Sequence, residues 1–385
     1  MLNTSNKIKQ LLNIDLQQEH IQESKEHNLV DWWFRLNSIT PEEHALINKP
    51  CNYNKITSIN SWETLQELVR MQLPYEGGFV NEEWERNLEG YHLYLGKSAT
   101  DLINKICDKH IKDDVLVITS IVEHPAVKDA VERLGRTNKD HVILDYINGI
   151  QNLNISQVIE ACENKKYKKA FVMIIGTQVT TGEVTPQKFF IKLKDYLESQ
   201  GIETVMAIDD AQGMYLVPRN YNIFDYVIYT AHTLVREHLM GMLWSKEELD
   251  FGMQYAGWLS QYYKKLKVML RFQEKYNSFS DVMKDELREY LYTDYVNYVS
   301  DSVPYIFSVK VDCPPRFIYD AYTADNWLLD YEVKLESADY LNDECFYIKL
   351  RAAQYITTPE KLTIAIPKIK AILDKVIDYK ENSND

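Results

Sequence analysis

Between about residues 90 and 245 the chain alternates short, nearly uninterrupted apolar runs with amphipathic stretches. That alternation constrains its fold more than any other feature. The runs are Asp114–Thr119 (DVLVIT), His141–Leu144 (HVIL), Ala170–Ile175 (AFVMII), Thr204–Ile208 (TVMAI), Asp225–Tyr229 (DYVIY) and Met240–Trp244 (MGMLW). Strands this apolar belong in a sheet covered on both faces. Stretches such as Ala126–Leu134 and Pro186–Gln200 have the length and spacing of helices, and parallel neighbouring strands need crossovers of that kind. The pattern predicts an α/β fold, an open sheet with helices on both sides.

The flanks read differently. Residues 1–50 are polar and helix-prone, with apolar steps at Ile8, Leu11 and Leu12. The aromatic cluster Asp31-Trp32-Trp33-Phe34 is expected to pack on the main body or on a second subunit. Residues 249–300, rich in Tyr, Lys, Glu and Leu, predict long helices. Strand-like pieces at Tyr305–Val311, Tyr331–Leu335 and Phe346–Leu350 then precede a last helix near Pro359–Val376, in which Pro367 should cause a kink or a break. The expected division is an N-terminal helical arm over 1–54, a large α/β domain over 55–255 and a small α+β domain over 256–385.

The net charge of -14 argues against nucleic acid as a main partner, because phosphate backbones need a basic surface. The five cysteines (51, 107, 162, 313, 345) are scattered without metal-ligand spacing, so they read as reduced thiols in a cytoplasmic protein, with no metal site. No apolar stretch of signal-peptide or membrane-spanning length is present.

Four places can carry chemistry. Gly96-Lys97-Ser98-Ala99-Thr100-Asp101 opens a helix, and a helix N-terminus with small residues is an anion site; an ordinary N-cap looks the same. Glu123-His124-Pro125 follows the DVLVIT strand. There His124 can stack on a flat ring or simply cap a helix. Asp209-Asp210-Ala211-Gln212 ends another strand. A carboxylate at that point can keep a ring nitrogen protonated, and Gln212 can donate to a ring oxygen; a loop with paired acids is the plain alternative. Arg351 ends FYIKL and can bind a carboxylate through two parallel hydrogen bonds, or lie on the surface.

Taken together, these pieces resemble fold-type-I pyridoxal-phosphate enzymes, nearest the class V aminotransferase and cysteine desulfurase branch. GTQVTTGEVTP and GMYLVP also resemble group II decarboxylases. The resemblance implies a mostly parallel seven-stranded sheet in the large domain. It implies phosphate contacts from Ser98, Ala99, Thr100, Thr230 and His232, a stacking imidazole at His124, and a ring-nitrogen acid at Asp209 with Gln212 beside it. It also implies a turn at Thr181-Gly182-Glu183-Val184-Thr185-Pro186, a substrate-carboxylate arginine at Arg351, a homodimer, and pyridoxal or pyridoxamine phosphate as cofactor with a small amino-acid-like substrate.

One position departs sharply. The second strand of the pair ends Thr230-Ala231-His232-Thr233, and Thr233 stands where the family has its lysine. That lysine holds the aldehyde as an imine, exchanges with the substrate amine and moves the proton at the substrate carbon. A threonine does none of this. Lys97 and Lys246 are the lysines nearest the motifs, and neither is a convincing substitute. The family's Gly-Pro-x-Gly is Arg236-Glu237-His238-Leu239, and a polar Asn of the 178–180 region gives way to Val179 or its neighbours. Three readings remain open. The chain binds the cofactor non-covalently and uses another base, such as His238, His124 or Tyr229. Or it is an inactive member of the fold that serves a partner. Or its pocket takes some other phosphorylated ligand.

Overall fold

The structure, a computed structural model, describes residues 62, 65–66, 69–70, 88–135, 140–145, 153–213, 217, 219–230, 240–255, 257–259, 262, 273–291, 293–298, 303–313, 334–336, 345–351 and 359–383. The expected N-terminal arm, its Asp31–Phe34 cluster, and the positions His232, Thr233 and His238 lie outside these residues. The described chain forms two compact units.

The first unit is built on seven strands: β1 His92–Gly96, β2 Val115–Ser120, β3 His141–Leu144, β4 Lys169–Ile175, β5 Glu203–Asp209, β6 Tyr226–Thr230 and β7 Gly241–Ser245. They stand in the order β1-β7-β6-β5-β4-β2-β3. β7 is antiparallel to both neighbours, and the other pairings are parallel. Each of the apolar runs forms a strand; every residue of β2, β6 and β7 is buried, as a strand covered on both faces requires, whereas the edge strand β3 leaves Ile143 exposed. β1 was not among the predicted strands. Its exposed His92 starts a five-residue strand that pairs along its length with β7 and, through Leu95, with Met253.

The crossovers are helical: α1 Ala99–His110, α2 Pro125–Gly135, α3 Ser156–Asn164 and α4 Gln187–Ser199. Helix α1 buries Leu102, Ile103, Ile106 and Cys107, residues three and four apart that share one face. A fully buried side chain of this size contributes roughly 1.5–3 kcal/mol. On the same face His110 stacks on Phe171 and shares a 2.7 Å hydrogen bond with the Tyr226 hydroxyl. Burial pushes its pKa down to about 4, so it is a neutral core histidine.

Leaving β2, the chain passes first to β3 on one side and then to β4 on the other. The strand order therefore reverses between β2 and β4, the kind of crevice where open α/β sheets bind ligands.

The second unit carries a four-stranded antiparallel sheet in the order β10-β11-β9-β8: β8 Val296–Tyr298, β9 Ile306–Val311, β10 Lys334–Glu336 and β11 Phe346–Arg351. Helices α5 Gln273–Glu286 and α6 Pro359–Ser383 accompany it. This is the expected α+β arrangement, with one correction. The 249–300 stretch is not helical throughout, because Val296–Tyr298 pairs with β9 as β8. Of the kink or break expected at Pro367, the break does not occur, because α6 continues past it. Among the described residues, no helix is long and apolar enough to cross a membrane.

Candidate functional site

The pairings bring the carboxyl ends of β1, β2, β4, β5 and β6 to one edge of the first unit's sheet, together with the start of β7. Gly96, Gly241 and Thr230 are consecutive register partners across β1, β7 and β6. Asp209 pairs with Ile228 on one side and Ile175 on the other. Ser98, Glu123 and His124 follow β1 and β2 at the same edge. Sequence positions more than a hundred residues apart are thus gathered by topology alone.

Ser98 is the N-cap of α1, and its Oγ accepts from the amide of Asp101 at 3.1 Å. The first helical bond is Leu102 N–H to the Ser98 carbonyl. The amides of Ala99 and Thr100 come before it, and these first-turn groups have no helical acceptor. Ser98 and Ala99 are half-buried and Thr100 is exposed. Gly241 lies directly against this turn: a Cβ there would come within 2.2 Å of the Ser98 carbonyl and 2.5 Å of the Ala99 nitrogen. Only glycine lets the helix start approach β7 so closely. Thr230, opposite Gly241 in β6, is buried, and its hydroxyl donates to the Met240 carbonyl at 3.4 Å. The N-cap reading and the anion-site reading therefore coexist at this turn.

The two acids after β5 separate into different tasks. Asp209 is buried, and its Oδ1 accepts from the amide of Ala211 at 3.1 Å. Burial pushes its carboxyl up to about 6; the Ala211 amide opposes this and the neighbouring Asp210 adds to it. Asp210 is structural. Its Oδ2 lies 3.3 Å from Arg219 Nε and accepts from the Tyr221 hydroxyl at 2.6 Å. Arg219 also donates to the carbonyls of Gly176 (2.8 Å) and Thr185 (3.0 Å), so one buried guanidinium joins the turns after β4 and β5. Gln212 is buried in the same turn.

His124 caps α2 in its own way. The Ala126 amide donates to Nδ1 at 3.1 Å, which makes Nδ1 an acceptor and places the proton of the neutral ring on Nε2. Glu123 beside it is also buried. Its Oε1 accepts from the Ser120 amide (3.2 Å), the Ser120 hydroxyl and the Ile175 amide (3.1 Å).

Sequence reasoning missed Arg219 and Glu123. An arginine inside GMYLVPRNYNIF is a usable signal, since a charge among apolar residues needs a buried partner. Glu123 shows no such signal, because its donors come from two different strand ends.

Lys246 stands just beyond the far end of antiparallel β7, and its Nζ donates to the Asn222 carbonyl at 2.6 Å. It sits at the opposite edge from Asp209. Lys97 is exposed next to the α1 turn, with its backbone amide directed to Asp101 Oδ2 at 3.3 Å. Tyr229 is buried within β6.

In the second unit, Arg351 closes β11 opposite Ile306. Lys349 on the same strand is buried and donates to the Val179 carbonyl at 2.7 Å. Val179–Glu183, although flanked by first-unit residues, belongs to this second unit. Its turn is made by Gly182 at φ 76, a left-handed conformation that favours glycine.

The residues at the sheet edge suit a pyridine ring bearing a phosphate. A helix start with free first-turn amides and a glycine beneath it can accept an anion. A buried acid with few donors of its own is matched to a protonated ring nitrogen. Among the described residues at this edge, Lys97 is the lysine present, and it is exposed.

No protein-family profile and no curated protein sequence matches the chain. Solved structures do. A NifS-like protein from Rickettsia africae superposes with a TM-score of 0.58 at 13% identity, covering 97% of this chain and 96% of its own. A pyridoxal-phosphate-bound C-S lyase from Staphylococcus hominis gives 0.57 at 13% identity, over 87% and 85%. Serine palmitoyltransferase from Sphingomonas wittichii gives 0.56 at 10% identity, over 91% and 84%. At these identities the likeness establishes the fold, that of the fold-type-I pyridoxal-phosphate enzymes.

Proposed function

We propose that this protein binds pyridoxal or pyridoxamine phosphate non-covalently at the carboxyl edge of its large sheet and acts on a small amino acid, amine or keto compound. The observation that carries the reading is Asp209, a buried acid at the end of β5 that accepts from the Ala211 amide, while Arg219 pairs with its neighbour Asp210. A buried carboxylate is costly unless a positive group meets it. A protonated ring nitrogen is such a group.

In this reading Ser98, Ala99 and Thr100 hold the phosphate through the first-turn amides and hydroxyls of α1, with Thr230 and His232 completing the contact. Asp209 holds the proton on the ring nitrogen, Gln212 donates to the ring oxygen, and His124 covers one ring face. When bound, the cofactor supplies an electron-withdrawing ring that stabilises negative charge at the substrate carbon. Arg351 orients the substrate carboxylate. With Thr233 in the lysine's place, proton transfer falls to another group, and His238, His124 and Tyr229 are the candidates. A homodimer follows from the same resemblance.

The test is near-UV and visible circular dichroism of the purified protein with pyridoxal phosphate and with pyridoxamine phosphate. An induced band that Asp209→Asn weakens supports the reading. A preference for the amine form points to chemistry that starts from the amine. No saturable binding of either ligand overturns it and leaves the inactive, partner-binding alternative.

A further inference from the structure

The ends of β2 and β4, between which the strand order reverses, are joined by the side chain of Glu123. Glu123 Oε1 takes the Ser120 amide and hydroxyl from the end of β2 and the Ile175 amide from the end of β4. Ile175 is in turn the register partner of Asp209 on β5. Glu123 therefore sits one strand away from the acid assigned to the ring nitrogen, and it fixes the strand against which that acid is paired.

Its hydrogen bonding is lopsided. Every donor goes to Oε1, whereas Oε2 is buried with no partner among the described residues. An ionised carboxylate shares its charge over both oxygens, and burying one of them without a donor is strongly unfavourable. A carboxylic acid buries no charge there: Oε1 stays the acceptor and Oε2 carries the proton, at the smaller cost of an O–H with no acceptor among the described residues.

Building on the proposed cofactor site, we infer that Glu123 is a positioning residue for Asp209, a neutral acid that ties the ends of β2 and β4 together and leaves the site with one negative charge rather than two. One negative charge matches one protonated ring nitrogen. The charge environment agrees. The ionisable group acting on Glu123 is Asp209, and Asp209 in turn feels Asp210, whose charge Arg219 meets. Burial, with Asp209 adding to it, pushes Glu123 up to about 8, above the value of about 6 to which burial raises Asp209, so Asp209 is the first of the two to ionise.

The experiment uses the ligand-free protein, so it does not depend on cofactor binding. Because the folded pKa of Glu123 is raised, wild-type stability should fall as pH rises from about 4.5 through about 8. Glu123→Gln keeps the acceptor and cannot ionise, so that part of the decline should vanish. The infrared carbonyl stretch of a protonated acid at neutral pH should vanish with it. In the wild type alone the same band should disappear as pH passes about 8, which decides the matter if the variants do not fold.

Glu123→Ala should weaken pyridoxal phosphate binding at least tenfold, and Glu123→Gln should restore it. If wild type binds neither cofactor form, the proposed function fails while the ligand-free readouts still decide Glu123. A Glu123→Gln variant that keeps the wild-type band and the wild-type slope overturns the inference.

Discussion

Gly241 and Ser98 touch backbone to backbone: a Cβ on the glycine would stand 2.2 Å from both the carbonyl carbon and the oxygen of Ser98. The neighbour is main chain at a helix cap, so it cannot rotate away. Gly241→Ala must push the start of α1 off β7. Overpacking of this kind costs about 1–3 kcal/mol. Urea unfolding should show that loss, and the affinity for inorganic phosphate should fall with it. If Gly241→Ala lowers stability but leaves phosphate affinity unchanged, the α1 turn is only a cap.

Asp209 gives the cofactor reading a signed pH dependence. Its folded pKa, near 6, lies above the unfolded value of 3.8. Without ligand its contribution to stability is present below 3.8 and is lost as pH rises through 6. Ligand affinity should run the other way, since only the ionised acid holds the ring proton. Affinity for pyridoxal phosphate should drop about tenfold per pH unit below that pKa. Asp209→Asn should remove this limb. A limb that survives in the variant assigns the titration to another group.

Much of the first unit was legible because burial on both faces leaves a strand few residue choices. AFVMII and TVMAI could hardly be anything else. β8 was hidden for the opposite reason. Val-Asn-Tyr is three residues long in a polar, tyrosine-rich stretch, and it becomes a strand only because β9 offers its edge. The site residues divide in the same way. Asp209 and Ser98 advertise themselves by standing where a strand or helix ends. Glu123 and Arg219 acquire their roles from strand ends that are distant in sequence, and no local pattern encodes that meeting.

Arg219 tests how strongly the two turns are joined. Replacing it with methionine keeps the bulk against Phe190 but takes the positive partner from Asp210, which is fully buried and keeps the Tyr221 hydroxyl. Breaking a buried pair from one side costs about 3–5 kcal/mol. Arg219→Met should show a loss of that size in denaturant unfolding. It should also speed hydrogen exchange at the Thr185 amide, which bonds the Gly176 carbonyl that Arg219 holds. A loss below about 1 kcal/mol, the range of an exposed ion pair, would mean that solvent already reaches Asp210.

Thr233 is the sharpest test, because it separates a missing residue from a missing site. If the chain aligns with the family as its motifs imply, Thr233→Lys places an amine at the family's lysine position, with Asp209 and the α1 turn already present. Added pyridoxal phosphate should then form a covalent adduct that borohydride traps and peptide mapping assigns to position 233. Wild type should form none there. The adduct should weaken when Asp209→Asn is combined with the new lysine, since a ring nitrogen without its acid holds the cofactor less well. A lysine variant that folds, binds the cofactor reversibly and still traps nothing would place the lysine away from the aldehyde and count against the alignment of Thr230–Thr233 itself.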